Sequence, residues 1–208
     1  MPVIIIFKEK RKMNIEKTIK SLKTRNFQVS YFETSAEAAD YIASNVKETT
    51  VGIGGSKTVE ALGLYDRLSA ENTVYWHWKV PGTETLKSAM FAKVFISSAN
   101  AISEEGEILN IDGRGNRVAA QLFGHDKVYI IAGVNKIRPD FASALDRARN
   151  VAAVKNVQRF DMQVPCKIDG VCHDCRVKDH ACNALTVLWG PMMGMETEIV
   201  LINEELGY

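Results

Sequence analysis

The first 165 residues of this 208-residue chain contain no cysteine, and all four cysteines fall between Cys166 and Cys182. A disulfide framework spread over the whole domain is thereby excluded, and the chemistry of the thiols is confined to one short segment. Net charge is also scarce. The 26 Lys and Arg against 25 Asp and Glu leave +1, too weak a field for a nucleic-acid binder working by bulk electrostatics. The apolar run near the start, Val3 to Phe7, is too short for a membrane span or a signal-peptide core, and basic residues follow it instead of preceding it. A soluble, cytoplasmic protein is the expectation. No stretch rich in Pro, Gly and Ser divides the chain, so one domain is expected. Residues 8 to 25 hold eight Lys and Arg against Glu9 and Glu16, read as the wet face of a helix in preference to an RNA or membrane patch.

What is present is an alternation of helix and strand periods. Ile15, Ile19 and Leu22 recur at helical spacing between Asn14 and Arg25, and Phe27 to Phe32 alternates as a strand. Thr34 and Glu37 form a capping box ahead of Ala39, Ile42, Ala43 and Val46. Strands are expected at Thr49 to Ile53, Val74 to Trp78, Val94 to Ser97, Glu107 to Asn110 and Lys127 to Ala132. Helices are expected at Lys57 to Leu68, Thr83 to Ala92 and Arg117 to Phe123, and from Pro139 onward. Such alternation predicts an α/β fold, a mostly parallel open sheet with helices on both faces, because parallel strands need crossovers. Thr186 to Trp189 and Glu198 to Ile202, joined through Gly190, Pro191 and Gly194, read as a hairpin added at an edge. Trp76 and Trp78 share one face of their strand, and core is preferred to pocket wall.

Three polar stretches fall where open α/β sheets bind ligands, at the carboxyl ends of strands. Gly52, Gly54, Gly55, Ser56, Lys57 and Thr58 follow a strand and open a helix, a place where unpaired backbone N–H groups hold an anion. The spacing is neither a P-loop nor a dinucleotide fingerprint, so neither ATP nor NAD is indicated. The bland alternative is a tight turn with Ser56 as an ordinary N-cap. Ser97 to Ile102 and then Asn110 to Arg117 place Asn100, Asp112, Gly113, Arg114, Gly115, Asn116 and Arg117 beside the same crevice. The arginines suit a carboxylate or phosphate, and Asp112 is the candidate general base. Asp112-Gly113 is equally a common turn pair. Asn135 and Lys136 follow a third strand, and Lys136 reads either as a ligand lysine or as a solvated one.

The cysteines are spaced C-x5-C-x2-C-x6-C, with Cys172 and Cys175 as a C-x-x-C pair and Cys166 and Cys182 able to complete a tetrahedral set. Segment 164–184 is therefore read as metal-binding. Zn²⁺ and a [4Fe–4S] cluster both suit four thiolates, a cytoplasmic location disfavours two disulfides, and free or redox-active thiols are the alternative to a metal. His173 and His180 flank the ligands as supporting or surface histidines.

Taken together, Val51-Gly52-Ile53-Gly54-Gly55-Ser56, Ser98-Ala99-Asn100-Ala101-Ile102, Asn110 to Ala119, Ile131 to Ile137, the cysteine run and Val200 to Gly207 resemble the LUD-domain (lactate-utilisation protein C) family. The resemblance covers Met13 to Tyr208 and leaves residues 1–12 as an extension, with Met13 a candidate start. It implies the fold shared by glucosamine-6-phosphate deaminases, ribose-5-phosphate isomerases and CoA-transferases, and a role near the oxidation of lactate to pyruvate beside iron–sulfur partners. In the sugar-phosphate relatives an aspartate stands where this chain has Asn100, which leaves Asp112 as the acid there. The expected ligand is a small anionic metabolite. The expected partners are an iron–sulfur protein and a second copy of the chain, without nucleic acid or membrane insertion. A non-catalytic metabolite sensor or redox-partner adaptor is the alternative.

Overall fold

Helix α1 (Ile15–Thr24) starts at Asn14, whose side chain accepts from the Lys17 N–H, in the computed structural model, which describes residues 14–208. The run Val3 to Phe7, the start at Met13 and the basic residues before Asn14 lie outside the described residues. Thr18 and Leu22 are buried while Lys20 and Lys23 stay exposed, so this stretch of basic residues is the solvated side of α1. Strand β1 (Gln28–Phe32) leads to α2 (Ser35–Asn45), which begins with both arms of the Thr34–Glu37 capping box in place. The chain continues through β2 (Thr50–Ile53), α3 (Lys57–Ala61), α4 (Leu64–Ser69), β3 (Thr73–Tyr75), α5 (Thr83–Met90) and β4 (Val94–Ser98). Then come β5 (Ala101–Ser103), β6 (Ile108–Asp112), α6 (Asn116–Leu122), β7 (Lys127–Gly133), a 3₁₀ turn (Val134–Lys136) and β8 (Ile137–Arg138). Last are α7 (Phe141–Arg147), a π-helical turn (Ala148–Ala153), α8 (Val154–Val157), α9 (Pro165–Asp169), β9 (Ala184–Leu188) and β10 (Glu196–Ile202).

Six strands form one wholly parallel sheet in the order β1-β10-β7-β4-β2-β3. Alternate residues of β7 feed two cores. Tyr129 and Ile131 pack with α2, α3 and α4 on one face; Val128, Ile130 and Ala132 pack with Leu22 of α1 and Ala120 of α6 on the other. The fold is α/β with helices on both faces of the sheet. A smaller sheet, β8-β5-β6-β9, carries the mixed pairings and lies beyond the carboxyl end of β4, which runs into it through Ala99 and Asn100.

Four local expectations need correction. The edge hairpin does not form: β10 is an interior strand with parallel neighbours on both sides, and β9 joins the other sheet antiparallel to β6. The run from Thr197 to Ile202 is buried throughout, as an interior parallel strand requires. The helix read over Lys57 to Leu68 breaks into α3 and α4 at Gly63, whose φ of 63° suits a residue without a Cβ. Strand β3 ends at Tyr75, so Trp76 turns into the core at 2% exposure and Trp78 leaves the strand altogether. Pro139 precedes α7, and Asp140 is its N-cap, accepting from the Ser143 N–H at 2.7 Å.

Helix α5 lies so close to β2 that a Cβ at Gly52 would sit 2.3 Å from the Ala89 carbonyl oxygen. Backbone cannot yield as a side chain can. Gly52→Ala is expected to destabilise the domain by about 2–3 kcal/mol in a urea titration; a loss below about 0.5 kcal/mol would show that α5 shifts freely.

Candidate functional site

Strands β2, β4 and β7 end side by side, and their chain continuations meet in a cavity of about 560 Å³. The sheet order reverses here: β2 continues to β3 on one side, while β4 lies on its other side. Gly55, Ser56, Lys57 and Thr58 come from the turn after β2, Ser98 and Asn100 from the end of β4, and Lys136 from the 3₁₀ turn after β7.

Lys136 is 2% exposed, and no acid contacts it among the described residues. Its Nζ lies 2.7 Å from Thr58 Oγ1, 2.7 Å from Ser98 Oγ and 2.9 Å from the Ala99 carbonyl oxygen. Burial drives its pKa well below the ordinary lysine value, and the Arg147 and Arg117 guanidiniums push the same way. Arg147, itself 3% exposed, donates to the carbonyls of Asn135, at 3.0 Å, and Asn100, so it ties the end of β4 to the turn that carries Lys136. Burial lowers its pKa to about 10, and Arg138 adds to the shift.

Among the described residues one carboxylate lines the cavity, and it is fully engaged. Asp112 Oδ1 accepts from the N–H groups of Arg114 at 3.0 Å and Gly115 at 2.9 Å, and Oδ2 lies 3.3 Å from Arg117 Nε. Arg117 in turn donates to Asn110 Oδ1 at 2.7 Å and the Ile111 carbonyl at 2.6 Å. Asp112 thus shapes the turn into α6 and anchors Arg117, which knits the ends of β4 and β6 together. Burial lowers the Arg117 pKa while Asp112 opposes that shift.

The opposite wall is aromatic and basic. Trp78 stacks on Trp76 with ring centroids 5.5 Å apart, its indole nitrogen sits against Gly55, and the Arg159 guanidinium covers it at 4.1 Å. His77 lies beside Arg114 and Arg159; burial first, then those two charges, hold its pKa below the usual histidine value. Neither Arg114 nor Arg159 pairs with an acid among the described residues, whereas Lys57 pairs with Glu60 of its own helix at 2.5 Å. Ala153, at the end of the π-helical turn, and Asn156 complete this wall.

The cysteine segment closes the cavity's rim. Ala181 packs against Gly113, Asn183 donates to the Asp112 carbonyl at 2.9 Å and the Gly113 carbonyl at 2.7 Å, and His180 lines the cavity. Cys166 is buried in α9, Cys172 and Cys175 are half-buried and Cys182 is exposed, all as free thiols. Burial, and then the neighbouring thiols, push the Cys166 and Cys182 pKa values up. Among the described residues, however, no three His, Cys, Asp or Glu side chains stand together as a metal-holding group. The donors are right in kind for zinc or an iron–sulfur cluster, but the segment as folded is not a closed coordination sphere. His173 bonds Asp169 at 2.7 Å.

The sequence profile described as the LUD domain matches residues 15–201. The chain belongs to the LUD-domain family. A solved structure described as a DUF162 family protein from Deinococcus radiodurans superposes with a TM-score of 0.53 at 13% identity, covering 90% of this chain and 94% of that one. That likeness speaks for the fold. No curated protein matches the chain. No helix among the described residues of this LUD-domain protein is long and apolar enough to cross a membrane.

Of the residues singled out in the sequence, Gly55 to Thr58, Asn100, Asp112, Gly113, Arg114, Asn116, Arg117 and Lys136 of the LUD domain meet at the cavity. Four do not line it. Gly52 packs under α5, Gly54 sits against the Arg117 side chain, Gly115 precedes α6, and Asn135 accepts from the Leu206 N–H at 3.2 Å. Sequence reasoning missed His77, Trp78 as a wall, Asn156, Arg159, His180 and Tyr208, and placed Ser98 beside the crevice only as part of the stretch Ser97 to Ile102. Ser98 carried a signal, as a hydroxyl at the carboxyl end of an apolar strand; Arg159 and Tyr208 lay far along the chain and carried none.

Proposed function

We propose that this LUD-domain protein binds a small metabolite bearing a carboxylate or phosphate in the cavity between the ends of β2, β4 and β7. The observation that carries this reading is Lys136, a buried amine without a carboxylate partner among the described residues, in a wall whose one described acid is already engaged with Arg117. Arg114 and Arg159, unpaired with acids among the described residues, supply the positive charge, so an incoming anion meets cations that need no prior separation from acids. His180 and Tyr208 line the cavity, and the buried His180 Nδ1 and Tyr208 Oη have no hydrogen-bond partner among the described residues. The family's association with lactate utilisation makes lactate, pyruvate and related organic acids the first ligands to test.

The engagement of both Asp112 oxygens favours the second reading, a sensor or adaptor that binds without turnover. Asp112→Asn separates the two. It keeps an oxygen for the Arg114 and Gly115 amides, so calorimetry with pyruvate, lactate and inorganic phosphate is expected to give a Kd within about 10-fold of the original. Turnover of a 2-hydroxy acid by the original protein that vanishes in this variant would restore Asp112 as the base and remove the sensor reading. Failure of all three ligands to bind the original protein at millimolar concentration would sink the anion site itself.

We further propose that a thiolate-bound metal draws Cys166, Cys172, Cys175 and Cys182 together and links the cavity's rim to an iron–sulfur partner. Protein purified without oxygen is expected to carry stoichiometric zinc, or iron with broad absorbance near ~400 nm. Metal-free protein that retains four reactive thiols and an unchanged melting temperature on adding zinc or iron with sulfide would overturn this assignment.

A further inference from the structure

The Lys136 contacts are not equivalent, and the difference points beyond binding. The Thr58 hydroxyl directs its own proton to the Leu206 carbonyl at 3.2 Å, so toward the amine it is an acceptor. The Ala99 carbonyl can only accept. The Ser98 hydroxyl lies between two partners, the Ala99 carbonyl, to which it donates at 3.4 Å, and the Lys136 amine at 2.7 Å, the shorter contact. A neutral amine has two protons and one lone pair. A protonated amine donates to all three oxygens; once neutral, its two protons match Thr58 and Ala99, and the Ser98 proton, turned from the Ala99 carbonyl, meets the lone pair across 2.7 Å.

We propose that Ser98 is the nucleophile of an acyl-transfer site in which Lys136 is the base and Thr58 orients the amine. Nucleophile, base and orienting group are all within hydrogen-bond reach: Ser98 ends β4, while Thr58 and Lys136 lie in the helix and the 3₁₀ turn that follow its paired neighbours β2 and β7. Ser98 and Lys136 both line the cavity. Burial without an acid and the nearby Arg117 and Arg147 charges favour the neutral amine that a base requires. The substrate class is an ester or thioester of a small acid carrying a second, anionic group, which Arg114 and Arg159 attract. This acyl preference rests on the anion-binding reading, whereas the serine–lysine pair does not.

In the first step Ser98 Oγ bonds to the carbonyl carbon and its proton passes to Lys136 Nζ. The carbon–oxygen or carbon–sulfur bond of the substrate then breaks, and the leaving alkoxide or thiolate takes that proton. Water adds to the acyl-serine with Lys136 again as base, releasing the acid and restoring the serine hydroxyl. Ester and water give acid and alcohol, with no change of oxidation state.

The test is covalent labelling by a small alkyl fluorophosphonate, read by intact mass and peptide mapping on the full chain and on Ser98→Ala, Lys136→Met and Thr58→Val, each first checked for an intact melting transition. One adduct on the Ser98 peptide is expected, absent in Ser98→Ala and formed about 10²- to 10⁴-fold more slowly in Lys136→Met. The rate is expected to rise with pH to a plateau reached below the ordinary lysine range, a limb that Lys136→Met lacks, and Thr58→Val is expected to be slower by about 10-fold. No adduct on the original protein, or an unchanged rate in Lys136→Met, overturns the proposal. Inorganic phosphate and pyruvate are then added as competitors. Labelling that neither slows upholds the pair and overturns the anion site, while calorimetric binding of phosphate without labelling upholds the anion site and overturns the pair.

Discussion

Replacing Arg117 with leucine is expected to cost the fold about 3–5 kcal/mol, because it leaves the Asp112 carboxylate, 8% exposed, without its counter-charge. The guanidinium also satisfies Asn110 Oδ1 and the Ile111 carbonyl, and its aliphatic stem lies against Gly54. One side chain therefore joins the turn after β2, the end of β4 and the end of β6. Urea titration is the direct measurement, and a fall in melting temperature of roughly 6–20 °C should accompany it. The double variant Arg117→Leu with Asp112→Asn is expected to regain part of the loss, since no unpaired charge then remains buried. A single-variant loss below about 1 kcal/mol would mean that water reaches Asp112 and that the latch carries little.

Lys136→Met is expected to do the reverse, leaving the fold intact and removing ligand binding. Methionine fills a similar volume, and the Ser98 hydroxyl can turn to the Ala99 carbonyl. A bound anion favours the protonated form of Lys136, so losing that donor is expected to weaken binding by about 2–3 kcal/mol, roughly 30- to 150-fold in Kd by calorimetry. The pH dependence of stability should change as well. The pKa of Lys136 is lower in the folded protein than in the unfolded chain, so between those two values the unfolded chain binds more protons. Stability of the original protein should rise with pH through that window, up to the ordinary lysine pKa near ~10.4. The methionine variant should lack this rise. Equal slopes in the two proteins would show that Lys136 is solvated in solution, and the case for an unpaired amine in the cavity would go with it.

Much of this molecule was legible without coordinates because the signals are local. The capping box at Thr34 and Glu37 is a matter of three residues, and the amphipathic face of α1 one of two turns. Strand β10 shows where locality fails. Its apolar run is as compatible with one half of a hairpin as with an interior parallel strand, and only the partners on either side decide which. Gly63 shows a second limit, since a residue that merely tolerates a left-handed turn says little until the neighbouring packing demands one.

The candidate site divides the same way. Sequence by itself determined the family, the alternating α/β architecture and the set of polar turns at the ends of β2, β4, β6 and β7, because spacing and turn chemistry are properties of neighbouring residues. Only the tertiary structure decided that Asp112 is engaged by Arg117, that Lys136 is buried instead of solvated, and that Ser98, Arg159 and Tyr208 belong to the same cavity. Desolvation and charge pairing depend on what surrounds a group in space. Thr58 and Ser98, which surround the Lys136 amine, lie 78 and 38 positions from it, and no local pattern encodes such an approach.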